Sequence, residues 1–213
     1  MKDRTTTWCK ICGVKSLEDA LAAARAGADA IGFNFFEASP RYLDPKGAAE
    51  VCAKLQNGHP EVERIGLFVN ATPKSVEQTL KQVSLSLLQF HGEESSEYCK
   101  QFQFPYIKVL GVTATTDIKG IAGSYTDAWG LILDTHDPKL KGGTGRAFDW
   151  DLWPDDIDGR LILAGGLDPS NVVQAVAQTQ PFGVDVAGGV ENGQKGVKDH
   201  AKMTSFIEKA KYG

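Results

Sequence analysis

Two residues in this chain have the chemistry of a proton-transfer pair. Cys12 stands in Lys10-Ile11-Cys12-Gly13, where a strand-like run ends just before an Ala-rich helix. Asp134 ends a later apolar run, Leu131-Ile132-Leu133-Asp134, at the same kind of strand exit. A thiolate accepts a proton and a protonated carboxyl donates one, so the pair could act as base and acid across one cleft. Each also has a plainer reading. Cys12 could be a small buried hydrophobe, and Asp134 could cap the turn opened by Thr135 and Asp137-Pro138. A thiol works as a base only if its pKa falls from the usual ~8.5 toward neutrality. Lys10, two residues back on the same strand face, offers a positive charge that would pull it down.

Other groups suit an anionic ligand. Ala164-Gly165-Gly166-Leu167 and Ala187-Gly188-Gly189-Val190 each follow an apolar run. Paired glycines let backbone N–H groups approach an anion closely. One such pair is only a turn, but two at consecutive strand exits suit a phosphate. Gly142-Gly143-Thr144-Gly145 is either a third contact or simply a loop. Arg41, in Ser39-Pro40-Arg41-Tyr42, could grip a carboxylate through two parallel hydrogen bonds, or be a solvated surface residue. His91, in Gln89-Phe90-His91-Gly92, either faces a ligand or is a loop histidine with its hydrogen bond made locally. His59, His136 and His200 read as surface residues, which leaves no histidine-based metal centre. Cys9-Lys10-Ile11-Cys12 is formally a C-x-x-C motif, but strand residues three apart point to opposite faces. No second pair completes a zinc site. Cys9 therefore reads as core, and Cys12 as facing the cleft.

These residues must be positioned by the elements around them. Eight strand-like runs alternate with helical patterns: Thr7–Cys12, Ala30–Phe35, Arg64–Val69, Ser86–Phe90, Tyr106–Leu110, Ala128–Asp134, Arg160–Ala164 and Phe182–Val186. Ser16 caps a helix over Leu17–Ala26 that ends at Gly27, and Ser170–Gln178 and Asp199–Lys211 supply the last two. Pro45, Pro73 and Pro169 each sit near the first turn of a following helix. Eight such units predict a single (β/α)8 barrel over residues 1–213, with a short or irregular sixth helix after Asp134. A doubly wound sheet is the alternative, but no G-x-G-x-x-G follows a strand. Barrel sites lie at the C-terminal strand ends, where Cys12, His91 and Asp134 fall. If the aliphatic set on each strand faces the helices, then Lys10, Cys12, Asn70, Gln89, His91, Lys108, Asp134 and Asp185 point inward or upward.

Composition narrows the function classes. At 213 residues and 42% hydrophobic content the chain can bury a sizeable core. A formal charge of −4 without a basic run gives no footprint for nucleic acid. No apolar run reaches the ~18 residues of a membrane span, and Met1–Thr7 lacks the apolar segment of a signal peptide. Cytoplasmic residence is expected. Nothing in the residues signals an oligomeric state.

Taken in order, the segments resemble those of the phosphoribosylanthranilate isomerase family of tryptophan biosynthesis. They are Lys10-Ile11-Cys12-Gly13, Gly27-Ala28-Asp29-Ala30-Ile31-Gly32-Phe33, Ser39-Pro40-Arg41-Tyr42, Gly66-Leu67-Phe68-Val69-Asn70, Gln89-Phe90-His91-Gly92, Leu133-Asp134, Gly142-Gly143-Thr144-Gly145 with Phe148-Asp149-Trp150, Leu163-Ala164-Gly165-Gly166-Leu167 and Gly183-Val184-Asp185-Val186. The resemblance implies a cofactor-free Amadori rearrangement of a phosphorylated sugar-anthranilate. Asp134 would be the general acid, Cys12 the general base and Arg41 the contact to the anthranilate carboxylate. Gln89, His91 and Asp185 would line the substrate, and Gly165, Gly166, Gly188 and Gly189 would hold its phosphate. One departure stands out: the family usually carries Ser-Ser-Gly where this chain reads Ala187-Gly188-Gly189. Two hydroxyls are missing, while the backbone N–H donors and Glu191 remain. Two alternatives stay in view. A related ribotide isomerase of histidine biosynthesis would carry a carboxylate at the first strand exit, where this chain has Cys12. A non-catalytic barrel binding a phosphorylated ligand would need neither Cys12 nor Asp134.

Overall fold

The computed structural model describes residues 6–135 and 148–213. Eight parallel strands follow one another round a closed barrel: β1 (Trp8–Cys12), β2 (Ala30–Asn34), β3 (Glu63–Phe68), β4 (Leu87–Phe90), β5 (Tyr106–Val112), β6 (Gly130–Thr135), β7 (Leu161–Leu163) and β8 (Gly183–Val186). The barrel closes where β1 pairs with β8, with Lys10 opposite Asp185. Around it run α1 (Leu17–Arg25), α2 (Pro45–Gly58), α3 (Pro73–Gln82), α4 (Ser96–Lys100), α5 (Ile118–Ala122), α6 (Val172–Thr179) and α7 (His200–Tyr212). Between β6 and β7 the described residues hold only a 3-10 turn, Trp150–Leu152, in place of a full helix. His136, Asp137-Pro138 and Gly142-Gly143-Thr144-Gly145 lie outside the described residues.

Local sequence explains where the helices begin. Ser16 Oγ accepts the Asp19 N–H at 3.0 Å at the start of α1. Asp44 and Thr72 do the same for α2 and α3, each followed by proline in the first turn. Such a cap contributes about 1 kcal/mol. Asp168-Pro169 behaves differently from Thr72-Pro73. Asp168 Oδ1 accepts the N–H groups of Ser170 and Asn171, forming a turn, and α6 starts only at Val172.

Both faces of the barrel strands are buried, and this upsets two expectations. Cys9, Ile11, Leu88, Phe90, Leu133 and Val184 pack toward the helices. Trp8, Ile65, Leu87, Ile107, Val109, Ile132 and Ile162 form a separate apolar plug inside the barrel. On β4 the aliphatic set does face outward, as expected. On β3 and β5 it faces inward, so Lys108 points to the helix side and Asn70 leaves the cleft altogether. Lys108 Nζ bonds the Gly92 carbonyl at 2.6 Å and Glu94 at 2.9 Å. Asn70, at φ 49°, donates its N–H to Glu94 at 2.7 Å. A strand buried on both faces carries apolar residues on each, so alternation alone gives no direction.

Candidate active site

The C-terminal ends of the strands surround a cleft of about 790 Å³, within the usual range for a small-molecule site. Cys12, Arg41, Gln89, His91, Asp134, Gly165, Gly166, Asp185, Gly188 and Gly189 all line it. The acid, base, substrate-lining and glycine-pair candidates therefore meet in one place. Cys9 does not join them; it is buried toward the helices, on the opposite face of β1 from Cys12.

Cys12 sits at the rim of β1, 6% exposed, with Lys10 one turn of the pleat below. Lys10 is fully buried and donates to Asp185 at 2.8 Å on the neighbouring strand. Gly32 on β2 makes room for this pair. A Cβ there would lie 3.0 Å from Cys12 Sγ and 3.2 Å from Lys10 Nζ, crowding both. Burial pushes the Cys12 thiol up from its ordinary pKa, Lys10 pulls it down, and Asp185 adds to the rise. Burial wins in the free protein, so the depressed thiol expected from Lys10's proximity is not what the structure shows. Lys10 itself stays charged: burial works against its ammonium, but Asp185 and then Cys12 hold its pKa above the ordinary value.

Asp134 faces the cleft from β6, separated from β1 by β7 and β8. Its Oδ1 accepts the Thr135 N–H at 2.8 Å, which leaves Oδ2 toward His91 Nε2 at 3.5 Å. Gly165 closes in behind it at φ 87°. A side chain there would come within 2.3 Å of Thr135 Oγ1 and 3.0 Å of Asp134 Oδ1. Glycine at this position thus lets the seventh loop pack against the carboxyl without moving it. His91 opens a loop braced from outside the barrel, because Glu94 accepts the Gly92 N–H at 2.8 Å and pairs with Lys108.

Gln89 lies deepest among the polar groups that line the cleft. It is 0% exposed, and neither Nε2 nor Oε1 meets a partner among the described residues. A buried amide without partners costs about 1–3 kcal/mol, so its presence on the cleft floor points to a polar ligand. The glycine pairs form the opposite wall. Gly188 and Gly189 open a 3-10 turn whose first N–H groups have no intrahelical acceptor.

Arg41 is already engaged. Its Nε and Nη2 meet Glu191 at 2.6 and 2.9 Å. Glu191, Lys195 and Lys202 also line the cleft, and sequence reasoning assigned them no part beyond Glu191's persistence after the glycine pair. No local signal in Gln194-Lys195-Gly196-Val197-Lys198 marks its return to the site. Among the described residues, no group of three His, Cys, Asp or Glu side chains is placed to hold a metal ion. No described helix is long and apolar enough to cross a membrane.

Comparisons with known proteins place these features in context. The profile of the family described as N-(5'-phosphoribosyl)anthranilate (PRA) isomerase matches residues 9–209. A relative named N-(5'-phosphoribosyl)anthranilate isomerase from Hahella chejuensis is 48% identical over 199 residues, spanning 93% of this chain and 92% of the relative. The crystal structure of phosphoribosyl anthranilate isomerase from Thermotoga maritima superposes with a TM-score of 0.85 at 38% identity, covering 96% of this chain and 98% of that one. A further crystal structure of this isomerase, in complex with reduced 1-(o-carboxyphenylamino)-1-deoxyribulose 5-phosphate, gives a TM-score of 0.82 at 37% identity with the same coverage.

Proposed function

The chain belongs to the N-(5'-phosphoribosyl)anthranilate isomerase family, and from that premise we propose how its own residues divide the work of that isomerisation. Asp134, protonated, donates through Oδ2 to the furanose ring oxygen as the C1'–O bond breaks, leaving a protonated Schiff base. Cys12, as thiolate, removes the C2' proton. The C–H electron pair forms the C1'=C2' bond while the iminium electrons return to nitrogen, giving an enolamine. Protonation at C1' and loss of the 2'-hydroxyl proton then give the ketone. Every proton leaves or arrives at a named group or in the tautomerisation, so the scheme calls for no cofactor.

The single observation that carries this reading is the placement of Cys12 and Asp134 on well-separated strands of one cleft. The raised Cys12 pKa of the free protein fits a base that becomes effective only with substrate in place. The cationic Schiff base sits next to the thiol and favours its thiolate by direct charge attraction. The glycine loops after β7 and β8 hold the phosphate through backbone N–H groups, with Lys195 and Lys202 supplying positive charge where hydroxyls are absent. Arg41 holds the anthranilate carboxylate, and Gln89, His91 and Asp185 face the sugar. The unit is one catalytic barrel domain over residues 1–213, working in the cytoplasm on a small phosphorylated substrate, with no part for nucleic acid or membrane.

Cys12→Ser and Asp134→Asn test the assignment. Loss of a positioned acid or base costs about 10²–10⁴ in rate. Each variant is expected to lose turnover of phosphoribosylanthranilate by that order, and to fail to complement a tryptophan auxotroph lacking the isomerase. Circular dichroism and cooperative melting should stay close to wild type. Near-normal turnover in both variants refutes the mechanism.

A further inference from the structure

The arginine of the carboxylate subsite is held by a rack of charges that closes from the far side of the cleft. Glu191 accepts both Nε–H and Nη2–H of Arg41. Its Oε1 also accepts the Gly196 N–H at 3.0 Å and faces Lys198 Nζ at 3.6 Å. Lys198 is buried and anchored on the Ala187 carbonyl at 2.9 Å, which ties the rack to the end of β8. The stem of Arg41 lies over Gly13, where a Cβ would come within 2.5 Å of Cδ. A Cβ at Gly188 would lie 3.3 Å from Nη2 on the remaining side. The guanidinium plane is therefore set by its surroundings before any ligand arrives.

The donor count shows what this leaves for a ligand. A guanidinium has five N–H donors, and Glu191 takes two along the Nε–Nη2 side. Arg41 Nη1 makes no bond to the described residues, so the Nη1–Nη2 end keeps donors for a second carboxylate. The charge count agrees: one carboxylate against Arg41 and Lys198 leaves a surplus positive charge at the cleft wall. We propose that Glu191, braced by Lys198 and the Gly196 N–H, is the positioning residue of the aryl-carboxylate subsite, acting only through Arg41. The inference rests on the isomerase reading, which supplies that carboxylate.

The test uses the reduced 1-(o-carboxyphenylamino)-1-deoxyribulose 5-phosphate and its phenylamino counterpart lacking the carboxyl, each titrated calorimetrically into the intact protein. Wild type, Arg41→Ala, Glu191→Asp and the double variant are compared, with phosphoribosylanthranilate turnover as the control. Glu191→Asp keeps the charge but withdraws it by one methylene, so it avoids leaving Arg41 and Lys198 facing each other uncompensated. Binding of the carboxylated ligand should weaken about tenfold in Glu191→Asp, with the other ligand changed less than twofold. The double variant should bind no more weakly than Arg41→Ala alone. Equal loss for both ligands, no loss for either, or additive losses in the double variant overturns the inference. If Glu191→Asp does not fold, Glu191→Gln takes its place with the same three readings. A wild type that binds the carboxylated ligand no better than the other, and does not turn over phosphoribosylanthranilate, overturns the isomerase reading and this inference with it. Selective binding without the predicted coupling overturns the inference alone.

Discussion

Replacing Lys10 with methionine should raise the pKa of Cys12 further, moving activity to higher pH instead of lowering it uniformly. Methionine fills the volume of the buried stem and removes the charge. The point that a Cβ on Gly32 would occupy lies 3.0 Å from Sγ and 3.2 Å from Nζ, so the two atoms are no farther apart than those distances laid end to end. At a separation of about 6 Å and an effective dielectric of about 20, the attraction between thiolate and ammonium is worth about 3 kcal/mol. That corresponds to about a hundredfold in the thiol–thiolate equilibrium. Asp185 adds to the effect, because the ammonium that screens it is gone and its carboxylate already works to raise the thiol. The sign is therefore the same for both contributions. Where the rate follows the thiolate fraction, kcat/KM should fall about a hundredfold at a given pH on the ascending limb. At high pH the two enzymes should converge, since the more basic thiolate is no weaker as a proton acceptor.

Thiolate absorbance and alkylation rates against pH measure the shift directly. The other cysteines do not interfere: burial pushes Cys52 and Cys99 to about 12, and Cys9 still higher. Because Lys10→Met strands a buried carboxylate, the double variant with Asp185→Asn separates charge from instability. It should regain stability and show a smaller thiol shift than Lys10→Met alone. An unchanged Cys12 titration in Lys10→Met, with the pH–rate limb also in place, refutes the argument that Lys10 tunes the base.

Two other substitutions give sharp outcomes. Gln89→Leu removes an amide that has no partner among the described residues, so the free enzyme should melt a few degrees higher by calorimetry while kcat/KM falls; for a chain of this size 1 kcal/mol is about 2–4 °C. Gly165→Ala places a methyl group against Thr135 and Asp134 at a left-handed φ, and should lower the melting temperature and reduce kcat at least about tenfold. A Gly165→Ala enzyme with normal kcat would show that the seventh loop does not set the position of the carboxyl.

The parts of this molecule that could be read from sequence are those governed by local rules. Ser16, Asp44 and Thr72 cap helices because an oxygen three residues ahead of an orphan N–H is a local fact. Cys12 and Asp134 could be placed on the active face because strand exits in a barrel share one rim. The failures are all questions of direction or closure. Lys108 reads as inward only if its neighbours Ile107 and Val109 face the helices, whereas the barrel needs an apolar plug of its own. No local pattern marks Lys198 as a site residue, and only the return of its loop across the end of β8 buries it against Glu191.

The interior shows why some polar groups could still be found. A closed barrel excludes water from its axis, so each charge placed there needs a partner on another strand. Lys10 finds Asp185 across the β1–β8 seam, where the strand register sets the two opposite each other. Arg41 finds Glu191 at the rim. Gln89 finds none among the described residues, which is a cost that packing alone would remove by an apolar residue. Paired charges are thus explained by the fold, and an unpaired amide is not. A polar ligand bound between Cys12 and Asp134, as the proposed isomerisation requires, would supply that partner.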